Sequence, residues 1–178
     1  MTARFLESGL SAGERVLHLT DTLSVAEASR RLAELGVEVD PEDRALVLRD
    51  AVEANCPKGR FSTVEMIETL KDFYLSALAE GYAGARGTGE MSWSLRGGLC
   101  DLDELMDYEA HLNDALRTHP FTACCQYALQ RFDGQAILDV LSVHPLTLVR
   151  GQLVVNPYYL EPSAFLARAR RSARANAR

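Results

Sequence analysis

The chain has 178 residues, 47% of them hydrophobic and 25% charged, with a net charge of −6. That is enough for one domain with a full core, too little for two comfortable ones, and too apolar for a disordered chain. No apolar run approaches the roughly 20 residues a bilayer span needs, and Phe5-Leu6 gives way at once to Glu7 and Ser8, unlike a signal peptide, so a cytoplasmic protein is expected.

Short apolar or β-branched runs alternate with amphipathic segments, the pattern of βαβ units around a parallel sheet. A first helix is predicted over Ala3–Leu10, ended by Ser11-Ala12-Gly13, and a strand over Arg15–Leu19. Ser24 with Glu27 forms a capping box for a helix to about Leu35, and Gly36 supplies its stop. Ala45–Asp50 reads as the next strand, followed by a loop around Cys56-Pro57-Lys58-Gly59. Ser62 with Glu65 makes a second capping box, opening a helix to Glu80 on which Ile67, Leu70, Tyr74 and Leu78 keep helical spacing. Tyr82–Thr88 is predicted as a buried strand that bends sharply at Gly87-Thr88-Gly89. Asp101 and Glu104 begin a helix to about Arg117, with Leu102, Leu105, Leu112 and Leu116 on one face. Phe121–Tyr127 is the fourth strand and Asp133–Val143 a helix that His144-Pro145 ends. Arg150-Gly151 is a two-residue turn joining Leu146–Val149 to Gln152–Val155, and Pro162-Ser163 start a terminal helix.

The charge is uneven. Arg168, Arg170, Arg171, Arg174 and Arg178 follow the last acidic residue, Glu161, and without them 14 basic residues face 25 acidic ones. An acidic body disfavours nucleic acid as a partner, because phosphate neutralisation needs a basic face. The division read from this is a single domain over residues 1–167 and a basic tail over 168–178. Cys56, Cys100, Cys124 and Cys125 form no CxxC pair and are expected as reduced, buried hydrophobes. Cys124 and Cys125, adjacent on a strand, point to opposite faces.

Catalytic signatures are sparse. A P-loop needs Gly-Lys-Ser/Thr, so that amides cradle phosphate and the lysine neutralises it. The only lysines, Lys58 and Lys71, precede Gly59 and Asp72. Residues Gly87 to Ser92 approach GxGxxG without its third glycine. Glu90 has no evident nucleophile or metal partner, and is expected to pair with Arg86 or to hold a polar ligand group. His111, His119, Cys124 and Cys125 match no standard zinc spacing. No catalytic residue, metal or cofactor is expected.

A strand delivering Arg86, Glu90 and Trp93 is costly unless those groups face a cleft. In open α/β sheets ligands sit at the carboxyl ends of strands, near a topological switch point. Arg86, Glu90, Trp93, Gln126 and Tyr127 are therefore the candidates for one common ligand cleft. His144, Asn156 and Tyr158 lie in proline turns that serve turn chemistry or border the same pocket.

The stretches GYAGARGTGEMSW (Gly81–Trp93), YEAHLN (Tyr108–Asn113), CCQY (Cys124–Tyr127) and HPLTLVRGQLVVNPYY (His144–Tyr159) together resemble the MEDS domain. This bacterial and archaeal sensory domain is named for methanogens, methylotrophs and a dichloromethane-responsive regulator, and the resemblance runs from about Phe5 to Phe165. It implies a RecA/KaiC-like three-layer α/β sandwich without a P-loop, closing on a C-terminal β-hairpin and helix. It implies a non-enzymatic sensor of a small organic ligand, acting in trans on a regulatory protein such as a histidine kinase, an anti-sigma factor or a transcription regulator. The family pattern places a further strand before the first helix, whereas Met1 falls in or just before that helix. Either that strand is absent or the start is misplaced; if it is absent, the sheet edge or groove left open would favour a homodimer or a partner. The alternatives are an interaction module on a degenerate ATPase-like fold, or a residual nucleotide binder.

Overall fold

Residues 1–37 and 44–168 are described by a computed structural model. Helix α1 (Thr2–Ser11) leads into β1 (Arg15–Thr20), α2 (Val25–Glu34) and β2 (Leu46–Asp50). A short α3 (Ala51–Asn55) and the long α4 (Thr63–Ala79) precede β3 (Ala85–Glu90). A 3-10 turn at Met91–Leu95 then gives way to α5 (Leu102–Thr118), β4 (Thr122–Gln126) and α6 (Gly134–Val143). The antiparallel hairpin of β5 (Leu146–Val149) and β6 (Gln152–Val155) follows, and residues 162–168 are helical. After Arg168 the expected basic tail lies outside the described residues.

The four central strands are parallel, in the order β2-β1-β3-β4. The sheet separates two cores because strand side chains alternate between faces. Val16 and Leu46 meet Leu6 of α1 and Leu32 of α2 on one side. Leu17 and Leu19 meet Met66 and Leu70 of α4 and Leu105 of α5 on the other. This is the mostly parallel, helix-flanked α/β sandwich expected, with its hairpin and terminal helix.

Local chemistry sets the helix starts. Ser24 and Glu27 close a complete capping box on α2. On α4 only half the box forms, since Ser62 accepts from the Glu65 amide while the Glu65 carboxylate turns to Lys58 at 2.6 Å. Helix α3 falls where the sequence predicts only a loop. The Asp50 carboxylate caps it by accepting from the Val52 and Glu53 amides at 2.8 and 3.0 Å.

One strand differs from expectation. Gly87-Thr88-Gly89 lies inside β3, in register with Leu17–Leu19 of β1 and Ala123–Cys125 of β4, and is not a turn. The glycine serves packing. A Cβ on Gly87 would stand 2.6 Å from Cζ of Phe121, so only glycine lets that ring close on the strand. The Arg150-Gly151 turn is as expected, with φ of 50° and 81°, the positive pair a type I′ hairpin requires.

Candidate functional site

The sheet's direction of construction reverses between β1 and β3, and the crevice at their carboxyl ends is the place where this architecture binds ligands. The loop leaving β1 carries Asp21 and Thr22, and Glu90 ends β3. The Glu90 carboxylate accepts from the Asp21 amide at 2.8 Å, from the Thr22 amide at 2.6 Å and from the Thr22 hydroxyl. A carboxylate of the protein thus occupies the amides that a phosphate-binding loop would offer to an anion. Burial pushes the Glu90 carboxyl up, but the bonds from Thr22 and Asp21 outweigh it and leave the carboxyl below its ordinary value.

Around this plug lie other polar groups. Asp21, with its side chain 1% exposed, ion-pairs through Oδ1 with Arg96, while Oδ2 lies 3.8 Å from Arg131. Oδ2 has no hydrogen-bond partner among the described residues. Burial pushes the Asp21 carboxyl up, against the pull of the two arginines. His18 of β1 is buried on the same face, and its Nδ1–H points at the Thr88 carbonyl 3.4 Å away. Burial lowers its basicity more than that carbonyl and Glu90 restore. Gln126 donates to the Thr88 hydroxyl at 2.6 Å and accepts from Thr2 at 3.1 Å, tying β4 to β3 and α1.

The structure does not bring all the sequence candidates together. Arg86 sits at the start of β3 under α1, where it pairs with Glu14, donates to the Phe5 carbonyl at 3.0 Å and covers the Phe5 ring. The expected Glu90–Arg86 pair is absent because the two residues occupy opposite ends of the strand. Trp93 is fully buried, 5.2 Å from the Phe61 ring, so it anchors the core and does not border a cleft. Asn156 is a structural clamp, donating to the carbonyls of Leu141 and His144 at 2.6 and 2.7 Å and accepting from the Tyr158 amide. The Tyr158 side chain is turned out to solvent.

Tyr127 and His144 do converge, on a residue the sequence reading missed. Glu109 of α5 is 2% exposed and accepts from the Tyr127 hydroxyl at 2.6 Å. Cys125 donates to its other oxygen at 3.4 Å, and His144 Nε2 lies 3.5 Å from that same oxygen. The signal was present: Glu109 stands at the i+4 position from Leu105, on the apolar stripe already recognised. Burial pushes the thiols of Cys56, Cys124 and Cys125 up, and that of Cys100 up to about 12, which leaves little nucleophilic thiolate at neutral pH. All four cysteines are free.

Between the sheet and helices α4 and α5 lies a cavity of about 40 Å³. Its lining is almost wholly apolar, with Leu17 and Leu19 of β1, Gly89 of β3, Cys125 of β4 and Met66 and Leu70 of α4 among its walls. A Cβ on Gly89 would make only ordinary contacts, 3.6 Å from Leu19 Cβ and 4.0 Å from Met91 Sδ.

Residues 1–145 match the family described as "MEDS: MEthanogen/methylotroph, DcmR Sensory domain". The chain belongs to the MEDS family. It is also 30% identical over 89 residues to the transcriptional repressor DcmR of Methylorubrum extorquens (strain DSM 6343 / CIP 106787 / DM4), covering 49% of this chain and 33% of the repressor. The match therefore spans about a third of that relative's length. The family is described as a sensory domain, and the relative that shares part of it is a transcriptional repressor. No described helix is long and apolar enough to cross a membrane.

Proposed function

We propose that this MEDS domain is a sensor without catalysis of its own, which takes a small, mainly apolar molecule into the cavity beneath β1, β3 and β4 and passes the event to a regulatory protein in trans. The observation that carries this reading is the apolar cavity against the middle of β1, β3 and β4. A cavity of about 40 Å³ has room for roughly three or four heavy atoms, since one water needs about 10–15 Å³. At a ceiling of about 1.5 kcal/mol per heavy atom, the tightest affinity is about 40 µM to 0.5 mM. Such a sensor responds to abundant small molecules. The Glu90 plug supports the absence of nucleotide turnover, because it fills the loop amides that would hold phosphate.

Thermal-shift measurements on the full chain with nucleotides, one-carbon compounds and other small organic molecules test the reading. A small apolar compound should raise the midpoint with concentration, by mass action on the folded state. Gly89→Ala should keep the fold and abolish that shift, because its methyl group enters the cavity at tolerated distances. A nucleotide shift, metal-dependent ATP hydrolysis, or an apolar shift unchanged by Gly89→Ala would sink the proposal.

A second reading, a module that only binds protein, has its own observation. The β5–β6 hairpin leaves Leu153 68% and Val155 76% exposed, with Leu146, Leu148, Val149 and Val154 also exposed. A two-stranded hairpin is marginal alone and an apolar face of this kind marks a contact surface. A shift produced only by a protein partner would favour that reading.

A further inference from the structure

We propose that Glu109, Cys125 and His144 form a binding site for a divalent transition metal of the zinc class, with a fourth coordination position open to an exchangeable ligand. The inference is independent of the cavity ligand. One carboxylate oxygen, one thiol sulfur and one imidazole nitrogen, from α5, β4 and the end of α6, all lie within 4.8 Å of one another.

The histidine tautomer carries the argument. His144 Nδ1 lies 2.8 Å from the Val140 carbonyl, and a carbonyl only accepts, so Nδ1 holds the proton. In the neutral ring Nε2 then presents a lone pair, and it faces a Glu109 oxygen only 3.5 Å away. Two lone pairs do not face each other in a buried place without a cation between them. What lies between them is either a proton, on the ring or on the Glu109 carboxyl, or a metal ion.

The two spacings to the Glu109 oxygen fit the metal. Bonds of about 2.3 Å to sulfur and about 2.0–2.2 Å to nitrogen and oxygen, at tetrahedral angles, place neighbouring ligand atoms about 3.3–3.7 Å apart. Cys125 Sγ and His144 Nε2 stand 3.4 and 3.5 Å from the same Glu109 oxygen. A mixed S, N and O donor set suits zinc and its neighbours better than calcium or magnesium. Binding exchanges the Cys125 proton for the metal and releases it to solvent, and a dication on one carboxylate and one thiolate leaves the buried cluster neutral.

The surroundings hold the donors as outer partners of a metal site do. The Tyr127 hydroxyl fixes the second Glu109 oxygen at 2.6 Å. The Val140 carbonyl orients the His144 ring, and Asn156 holds the His144 backbone carbonyl. Three protein donors leave one tetrahedral position, and the 21% exposure of the His144 side chain gives it access to water.

The test is titration of the chelator-treated full chain with Co²⁺, followed by displacement with Zn²⁺. One equivalent of Co²⁺ should produce a thiolate-to-cobalt charge-transfer band that Zn²⁺ removes. Cys125→Ser should abolish the band, while Cys56→Ser, Cys100→Ser and Cys124→Ser retain it. Tyr127→Phe should weaken binding about 10- to 100-fold, as loss of an outer partner does. Should Cys125→Ser fail to fold, His144→Gln decides, because its partly exposed ring can be replaced without opening the core and the equivalent should be lost. No band in the natural sequence, a band surviving Cys125→Ser, or Co²⁺ binding unchanged by His144→Gln would overturn the site and assign the contact to a proton held between Glu109 and Nε2.

Discussion

Trp93→Ala should lower the unfolding free energy by about 3–5 kcal/mol, the range for emptying a large aromatic site in a core. The ring has no solvent exposure, lies 5.2 Å from Phe61, and through Phe61 continues to Tyr108, whose ring meets it edge-on at 5.3 Å. It also closes the 3-10 turn that follows β3, so its loss loosens the strand end that carries Glu90. Trp93→Phe should cost much less. It keeps the contact with Phe61 and removes an indole N–H that has no acceptor among the described residues, and an orphaned donor costs roughly 1–3 kcal/mol. Urea titrations of both variants measure the difference. As the only tryptophan, Trp93 should also emit at short wavelength and resist acrylamide quenching until the chain unfolds. A Trp93→Ala cost under about 1 kcal/mol, or ready quenching in the folded protein, would show that the ring does not anchor this core.

The sheet was legible because β1, β2 and β4 are apolar runs bounded by unambiguous helix signals, and Ser24 with Glu27 fixes where α2 begins. β3 was read as a strand but ended too early, in a turn, because Gly87 answers to a residue more than thirty positions away. Gly87 accommodates the Phe121 ring, and no local pattern distinguishes that glycine from one in a turn. The candidate site was legible by residue type and misplaced by partner. Glu90, Gln126, Tyr127 and His144 all end strands or helices and all engage polar groups, but in two separate clusters. Arg86 looked like a site residue because a charge in a buried strand demands a partner, and the turn between α1 and β1 supplies it in Glu14. Thr22 and Asp21 carried no motif, since what matters is their backbone amides, which every residue but proline possesses.

Glu90→Ala should cost about 2–4 kcal/mol, because three bonds to one charged acceptor are lost together and the Thr22 end meets solvent. The pH dependence identifies the cause. The Glu90 carboxyl is held below its ordinary value, so the unfolded chain binds the proton first. Its contribution is complete above the unfolded value of about 4.3 and fades as pH falls through the folded one. His18 acts in a higher window: burial lowers it, so stability declines as pH falls below about 6.5, where the unfolded imidazole charges first. Asp21, pushed up, works in the opposite sense and favours the folded state as it protonates. Glu90→Ala should therefore flatten the acid limb while steepening the decline near pH 6, because His18 loses the carboxylate that supports its charged form. Urea midpoints taken from pH 3 to pH 8 (about one unit apart) resolve the two windows. The vacated amides of Asp21 and Thr22 should then accept an external anion, so sulfate or formate should restore part of the lost stability in the variant beyond its effect on the natural protein. If the acid limb is unchanged and added anions help both proteins equally, Glu90 is not the internal anion that fills this loop.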